Sequence, residues 1–513
     1  GKDVTVTEVQ AEHKELMELE KTALAELAAE ATDELIEKFL GGEELTTDEI
    51  RTGLKEQLKN AKLTPVVCGS SQKVIGIKNL IRTIKNFAPA PETGKVYKGH
   101  DQFHADKEIE VKLGDSGTMA AVVWKTAIDQ YAGRFNYVKV ISGQINPETE
   151  ILNATKNIKE RATKLCAMIG NKQNEMPRIC AGDIGVLVKL DRTVTLDTIT
   201  DPKAPVILPI IKLPQPVFSF AIEAAKRGEE DKIGQFLNKA AEENPTIKYG
   251  FTPSTGETVL SGMGEMQLNL ILNNLREKLK LEVVTRVPRV AYRETITKKA
   301  ESQYKHKKQS GGHGQYGEVH IRVKPLERGK GFEFVDSIVG GVVPKQYIPG
   351  VEKGLREGLD EGVLAKFPVV DVWVELHYGS YHDVDSSEMA FKIAARSAFK
   401  IAMEAAGPQL LEPIMNVRIF ADKEFMGDIM SDITSRRGRV LGMDSDEGSS
   451  GIQVVRATVP EAEMLRYSTD LRAMTSGKAT FEMEFSHYDP ISGREADKII
   501  EERKKLLEEE ANK

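Results

Sequence analysis

The apolar residues of this chain change their spacing several times along its length, and no single core could satisfy all of those patterns. Residues 8–39 are rich in Glu, Ala and Leu, with Leu16, Leu19, Leu24, Leu27 and Leu35 near helical spacing, which predicts one or two amphipathic helices. Thr46-Thr47-Asp48-Glu49 supplies a helix start, because a Thr or Asp side chain accepts from an unpaired first-turn N–H. Residues 63–68 read as a short buried strand, 69–71 as a turn, and 75–87 as a helix stopped by Ala88-Pro89-Ala90-Pro91. From 108 to 209 the spacing becomes that of short β-branched runs (119–124, 137–142, 185–190, 205–211) between Gly, Asn, Asp and Pro turns, which predicts a small all-β barrel.

After Pro214 strands and helices alternate: strand 217–222, helix 231–243, strand 258–261, helix 268–281, strand 281–286. That order fits a ferredoxin-like split βαβ unit with one strand unplaced, and 410–488 fits a second such unit. Between them, 289–409 combines strands at 319–323, 332–338 and 369–376 with helices at 348–361 and 387–406. The tail from 494 reads as a charged helix, and Pro214–Pro216 and Gly407-Pro408 read as hinge-like joints.

At 513 residues the chain implies about three to five domains, and with 6% aromatics their cores must be mainly aliphatic. The net charge of −7 argues against bulk attraction to nucleic acid, so any RNA contact must come from local basic patches. Cys68, Cys166 and Cys180 are odd in number, lack metal-ligand spacing and fit reduced thiols. No apolar stretch suits a membrane span and no signal-peptide layout opens the sequence, which predicts a cytoplasmic protein.

Nucleotide chemistry would need GxxxxGK[ST], whose backbone N–H groups and Lys meet phosphates, and the sequence has none. Nor has it a GxSxG elbow, an HExxH helix or a metal-ligand cluster, so neither a catalytic residue nor a metal site is predicted. The most glycine-dense stretch runs Gly311-Gly312-His313-Gly314-Gln315-Tyr316-Gly317 behind Lys305, Lys307 and Lys308. Glycine permits close backbone approach and the lysines suit phosphates, although an ordinary hairpin with solvated lysines reads equally. Tyr381, His382 and Asp383 lie in a polar loop between a clear strand and a clear helix, with Ser386 or Ser387 as its N-cap. An aromatic and an imidazole there suit unpaired bases, and a catalytic dyad of His382 with Asp383 or Asp385 is the competing reading. Arg436, Arg437 and Arg439 end a helix, where they complement its dipole or hold an RNA backbone.

The segments EKFLGGEELT (37–46), VVCGSS (66–71), YAGRFNYVKVISG (131–143), LSGMGEMQL (260–268), VAYRETI (290–296), HKKQSGGHGQYG (306–317), GGVVPKQYIPGVEKG (340–354), GSYHDVDSSEMAFK (379–392) and LLEPIM (410–415) occur in one order. In that order they resemble elongation factor G, a translational GTPase, over essentially the whole chain. The resemblance implies a multidomain α+β protein. Its expected parts are the C-terminal part of the GTPase domain with a helical insertion (1–90), a β-barrel (91–210), a ferredoxin-like domain (211–288), an elongated tip domain (289–409), a second ferredoxin-like domain (410–490) and a C-terminal helix (491–513).

On the same resemblance the chain reads as a fragment without the phosphate loop and switch regions. Gly69, Ser70 and Ser71 are then the remnant of the guanine loop, with Ser71 where Ala is usual. GTP and Mg are expected only for the longer parent, and the chain alone should neither bind GTP well nor hydrolyse it. The implied role is ribosome binding that promotes tRNA–mRNA movement, with the 1–61 helices touching the ribosomal stalk protein. Gly311, Gly312, His313, Gly314, Gln315, Tyr316, Tyr381, His382 and Asp383 would form the tip in the decoding region, and Lys307, Lys308, Arg436, Arg437 and Arg439 would contact rRNA. A monomer is expected. His313, where Arg is common, and Gln267, where His is common, also admit a ribosome-recycling or ribosome-protection paralogue.

Overall fold

The computed structural model describes residues 8–90, 95–104, 106–129, 133–170, 172–209, 211–309, 314–445, 451–491 and 493–511. Two compact units divide the chain, Gly1–Ile210 and Ile211–Lys513. None of the described helices is long and apolar enough to cross a membrane.

The first unit opens with helices Ala11–Ala29, Asp33–Leu40 and Thr47–Lys59, followed by Ile77–Phe87. Thr46 caps the third helix through a reciprocal box: its Oγ1 accepts from Glu49 N, and Glu49 Oε2 accepts from Thr46 N at 2.7 Å. The expected strand at 63–68 does not form, and Val66 is 87% exposed. An apolar run becomes a strand only when a neighbour takes its backbone groups, and here the nearest pairing is the bridge between Ser70 and Ile75. Beyond it lies an eight-stranded antiparallel sheet, running from Ile158–Ala162 through Thr149–Asn153, Thr198–Thr200, Ala120–Asp129, Gly133–Ser142, Ile184–Val188 and Lys164–Ile169 to Lys172–Glu175. The all-β reading of this region holds, and among the described residues no ladder joins the sheet's two ends. The run expected at 205–211 shortens to the strand Val206–Ile207.

In the second unit the first four-stranded sheet has the order Lys248–Thr252, Glu257–Gly262, Phe218–Ala224, Val283–Arg286, with helices Glu230–Glu243 and Glu265–Leu279. This is the split βαβ order, and Lys248–Thr252 is the strand the pattern did not place. It is an exposed edge with a central Gly250, so it carries no alternation to read. The later sheet repeats the design: Pro408–Asp422 pairs Ile452–Pro460 on one side and Thr480–Ile491 on the other, and Arg439–Ser445 forms the exposed edge.

The intervening domain has a sheet ordered Ala300–Lys308, Gln315–Pro325, Val372–Ser380, Phe332–Asp336. Helices Ile348–Glu361 and Glu388–Ala405 cover one face over Val319, Ile321, Val374, Leu376, Phe391 and Phe399. Gly350 lies against Glu388, Gly354 against Lys392 and Gly358 against Phe399, so the two helices run parallel and begin at the same end.

The base of this domain is fixed by Glu294, a fully buried residue. Its carboxylate accepts four backbone N–H groups, from Val363 (2.6 Å), Leu364 (2.9 Å), Ala365 (3.0 Å) and Phe367 (3.1 Å). Its strand, Arg293–Ile296, pairs with the start of Pro408–Asp422. Gly407-Pro408 is therefore not a free hinge, because the entry and exit of the domain are hydrogen-bonded to one another. Glu294→Ala would leave the two buried donors, of Ala365 and Phe367, unpaired at about 1–3 kcal/mol each before relaxation, with a smaller cost at the half-buried Val363 and Leu364. A loss of at least about 3 kcal/mol in urea unfolding of the second unit is expected, with faster hydrogen exchange at residues 363–367.

Candidate functional site

At the end where both helices begin, two loops meet. One is the turn of the hairpin between Ala300–Lys308 and Gln315–Pro325, whose register closes at Lys308 opposite Gln315. The other follows Val372–Ser380 and ends at Ser387, whose hydroxyl accepts from Ala390 N at 3.2 Å and caps the helix. It is closed internally by His382 N donating to Ser386 Oγ (2.9 Å) and Ser386 N donating to His382 O (3.1 Å).

Asp385 and Ser386 latch the two loops together. Asp385 Oδ1 accepts from Gly314 N, Asp385 O accepts from Tyr316 N, and Ser386 Oγ donates to Tyr316 O, each at 2.9 Å. A Cβ at position 314 would sit 2.9 Å from Asp385 Cγ, and this close approach is what Gly314 permits. The structure thus brings Gly314, Gln315 and Tyr316 together with Tyr381, His382 and Asp383; Gly311, Gly312 and His313 lie outside the described residues.

The members of the tip differ in what they offer. Tyr381 and Val384 are exposed (44% and 64%), as is Asp383. His382 Nδ1 accepts from Val384 N and Asp385 N, both at 3.3 Å, and lies 3.4 Å from Asp385 Oδ2. Accepting N–H groups requires an unprotonated Nδ1, so neutral His382 carries its proton on Nε2 and turns that donor away from the loop. The His382–Asp385 contact lies within one loop, where it adds to the bonds that fix the ring. Tyr316 is half-buried: its hydroxyl meets Ser380 Oγ at 2.7 Å, Lys305 Nζ lies 5.3 Å from its ring centre, and its ring is 6.2 Å from that of His382. Gln315 Oε1 meets His306 Nε2 at 3.0 Å, while Lys307 and Lys308 are exposed.

One residue here escaped the sequence reading. Glu318 takes hydrogen bonds from Ser380 Oγ (2.6 Å) and Tyr316 (3.2 Å), and ion pairs with Lys305 (3.2 Å) and His320 (3.3 Å). The Ser380 bond leads in holding its carboxyl down to about 2, against 4.5 for an ordinary glutamate. Its signal was a charged residue alternating with Val319 and Ile321, which is how any solvent-facing strand position reads.

The arginines are partly committed elsewhere. Arg436 bonds Asp432 and Asp470, each at 2.8 Å. Arg437 holds both oxygens of the buried Glu412 (2.7 and 3.0 Å) and reaches Glu463 and Glu495. Burial disfavours the Arg437 charge, but these carboxylates outweigh it and its pKa is raised. Both side chains therefore hold the fold together, although Arg437 stays partly open to solvent, and Arg439 is exposed at the start of the edge strand. In the first unit, Ser70 exchanges both backbone hydrogen bonds with Ile75 (3.0 Å each) and its Oγ accepts from Lys73 N. These bonds make a tight turn of Gly69, Ser70 and Ser71.

Four family descriptions match the sequence in order: elongation factor G domain 2 (residues 118–201), elongation factor G domain III (213–287), elongation factor G domain IV (288–407) and the elongation factor G C-terminus (409–499). A crystal structure of ttk003000868 from Thermus thermophilus is 34% identical, with a TM-score of 0.72, over 97% of this chain and 71% of that one. The chain belongs to the elongation factor G family. It is a translation elongation factor, and the latched loops lie in the elongation factor G domain IV region. In domain III, Gln267 turns inward: its Oε1 accepts from Met263 N (2.7 Å) and its Nε2 donates to Thr246 Oγ1 (3.1 Å), so it braces the Gly262–Gly264 turn.

A folded-state carboxyl near 2 contributes order that is full above about pH 4.5 and is lost as the pH falls from there toward 2. The ring signals of Tyr316 should therefore move over that range in acid titration followed by NMR. The same titration of Glu318→Gln should lack this component.

Proposed function

We propose that this elongation factor G-family chain is the ribosome-binding portion of a translocase, and that its domain IV tip enters the decoding region to promote tRNA–mRNA movement. The supporting observation is the latch through Asp385 and Ser386, which makes one probe of two loops and leaves Tyr381, Val384 and the His382 Nε2–H outside. Such a probe acts by wedging and hydrogen bonding, and unpaired bases and sugar edges are the groups that such donors and aromatics meet. Lys307, Lys308 and Arg439 are the exposed cations for rRNA phosphates. The first-unit helices are the proposed stalk-protein contact, and the setting is the cytoplasm.

GTP hydrolysis, with Mg2+, belongs in this reading to a complete nucleotide domain, of which residues 62–90 would be the closing part. The test pairs this chain with a full-length factor. His382→Ala in the chain should weaken small-subunit binding by about tenfold, the scale of one lost buried donor. In a factor carrying a complete nucleotide domain, the same substitution should slow mRNA movement while multiple-turnover GTP hydrolysis stays within about twofold. Equal losses of both activities would refute the tip assignment.

A further inference from the structure

The hydrogen bonds beneath the tip converge on one side chain that touches neither exposed loop. Glu318 lies on the central strand of the hairpin, two residues past Tyr316. It draws partners from its own strand and both neighbours: Lys305 from Ala300–Lys308, Tyr316 and His320 from its own strand, and Ser380 from Val372–Ser380. Tyr316 and Ser380 also meet one another at 2.7 Å, so the two hydroxyls share their two protons among three close contacts, with the Glu318 carboxylate as the common acceptor. Ser380 is the last residue before the His382 loop, and the Tyr316 backbone carries two of the three latch bonds to Asp385 and Ser386. Asp385 and Ser386 are in turn the residues that hold His382.

We propose that Glu318 is the positioning residue of the tip: by fixing Tyr316 and Ser380 it sets the orientation in which His382 presents its Nε2–H. This deepens the tip reading and rests on it. The physical advantage is preorganisation, since a loop already held in its binding geometry does not lose that order when a partner arrives. Lys305 adds to the effect. It closes over the Tyr316 ring from the outer strand, and the Tyr316 hydroxyl and Glu318 raise its pKa, keeping it charged.

The test uses the whole chain with isotope-labelled histidine, free of ribosomes, so that it does not depend on what the tip binds. Glu318→Ala, Tyr316→Phe and Ser380→Ala should each move the His382 ring nitrogen signals from a single Nε2–H tautomer toward the mixture of a free imidazole. Glu318→Gln, which keeps an acceptor oxygen, should restore most of the single-tautomer signal. His100 and His104, in the first unit, serve as unshifted controls. Unchanged His382 signals in all three variants, with melting temperatures held, would overturn the proposal, because a purely structural carboxylate would leave the tautomer alone. A second arm measures small-subunit binding. Weakening of about tenfold in Glu318→Ala is expected from the lost preorganisation. A normal signal change with unaltered binding would overturn the RNA-tip reading and leave the positioning role intact.

Discussion

The tip domain depends on how closely two parallel helices can lie. Gly350, Gly354 and Gly358 repeat every fourth residue and form one stripe of Ile348–Glu361. A Cβ at 354 would stand 2.2 Å from the Lys392 carbonyl oxygen, and one at 350 would stand 2.6 Å from that of Glu388. Backbone therefore packs on backbone, and any larger residue in the stripe would push the helices apart. Parallel neighbours align their dipoles unfavourably, and cross-helix ion pairs oppose that cost: Lys353–Glu388 and Glu357–Lys392 at 2.6 Å each, and Glu361–Arg396. The geometry has a directional result. Both helix N-termini, each carrying roughly half a positive charge, face the end where the loops meet.

That direction matters in a chain of net charge −7. Much of the cationic charge that sequence alone would assign to RNA is already paired within the protein, Arg436 and Arg437 with carboxylates and the exposed Lys305 with Glu318 and the Tyr316 ring. Lys307 and Lys308 remain exposed where the hairpin turns. In the proposed role, the end that meets RNA on this acidic body would rely on few side-chain charges, the helix dipoles and backbone groups. Short-range contacts of this kind discriminate by fit more than by attraction.

Much of the fold was legible because its signals are local. The helix 348–361 was placed to the residue, since Pro349 near its start and its apolar spacing leave one reading. The helix start at Thr46 was legible too, while the reciprocal Glu49 bond that completes its cap was seen only in the structure. What the sequence hid were elements whose identity comes from a neighbour. Ala300–Lys308 is polar along most of its length and becomes a strand by pairing with Gln315–Pro325, while the apolar run at 63–68 lacks such a neighbour and stays extended and exposed. Of the site, the two loops could be read from glycine density and from a His–Asp-rich turn. The latch that joins them could not, because Asp385 and Gly314 are 71 positions apart. Glu318 was hidden for the same reason: its partners arrive from three strands.

The bonding around His382 also limits how the tip can work. Its Nδ1 accepts from two backbone donors and lies 3.4 Å from the Asp385 carboxylate. Asp385 is also the residue that holds Gly314. Its Oδ1 takes Gly314 N while its Oδ2 faces His382 Nδ1, so one carboxylate stands between the His382 loop and the hairpin. With Nδ1 accepting both N–H groups, the ring's remaining donor is Nε2–H on its far side, a pairing of acceptor and donor that an imidazole supplies. Lysine or arginine would bring more charge, but neither can accept the two N–H groups that set the loop.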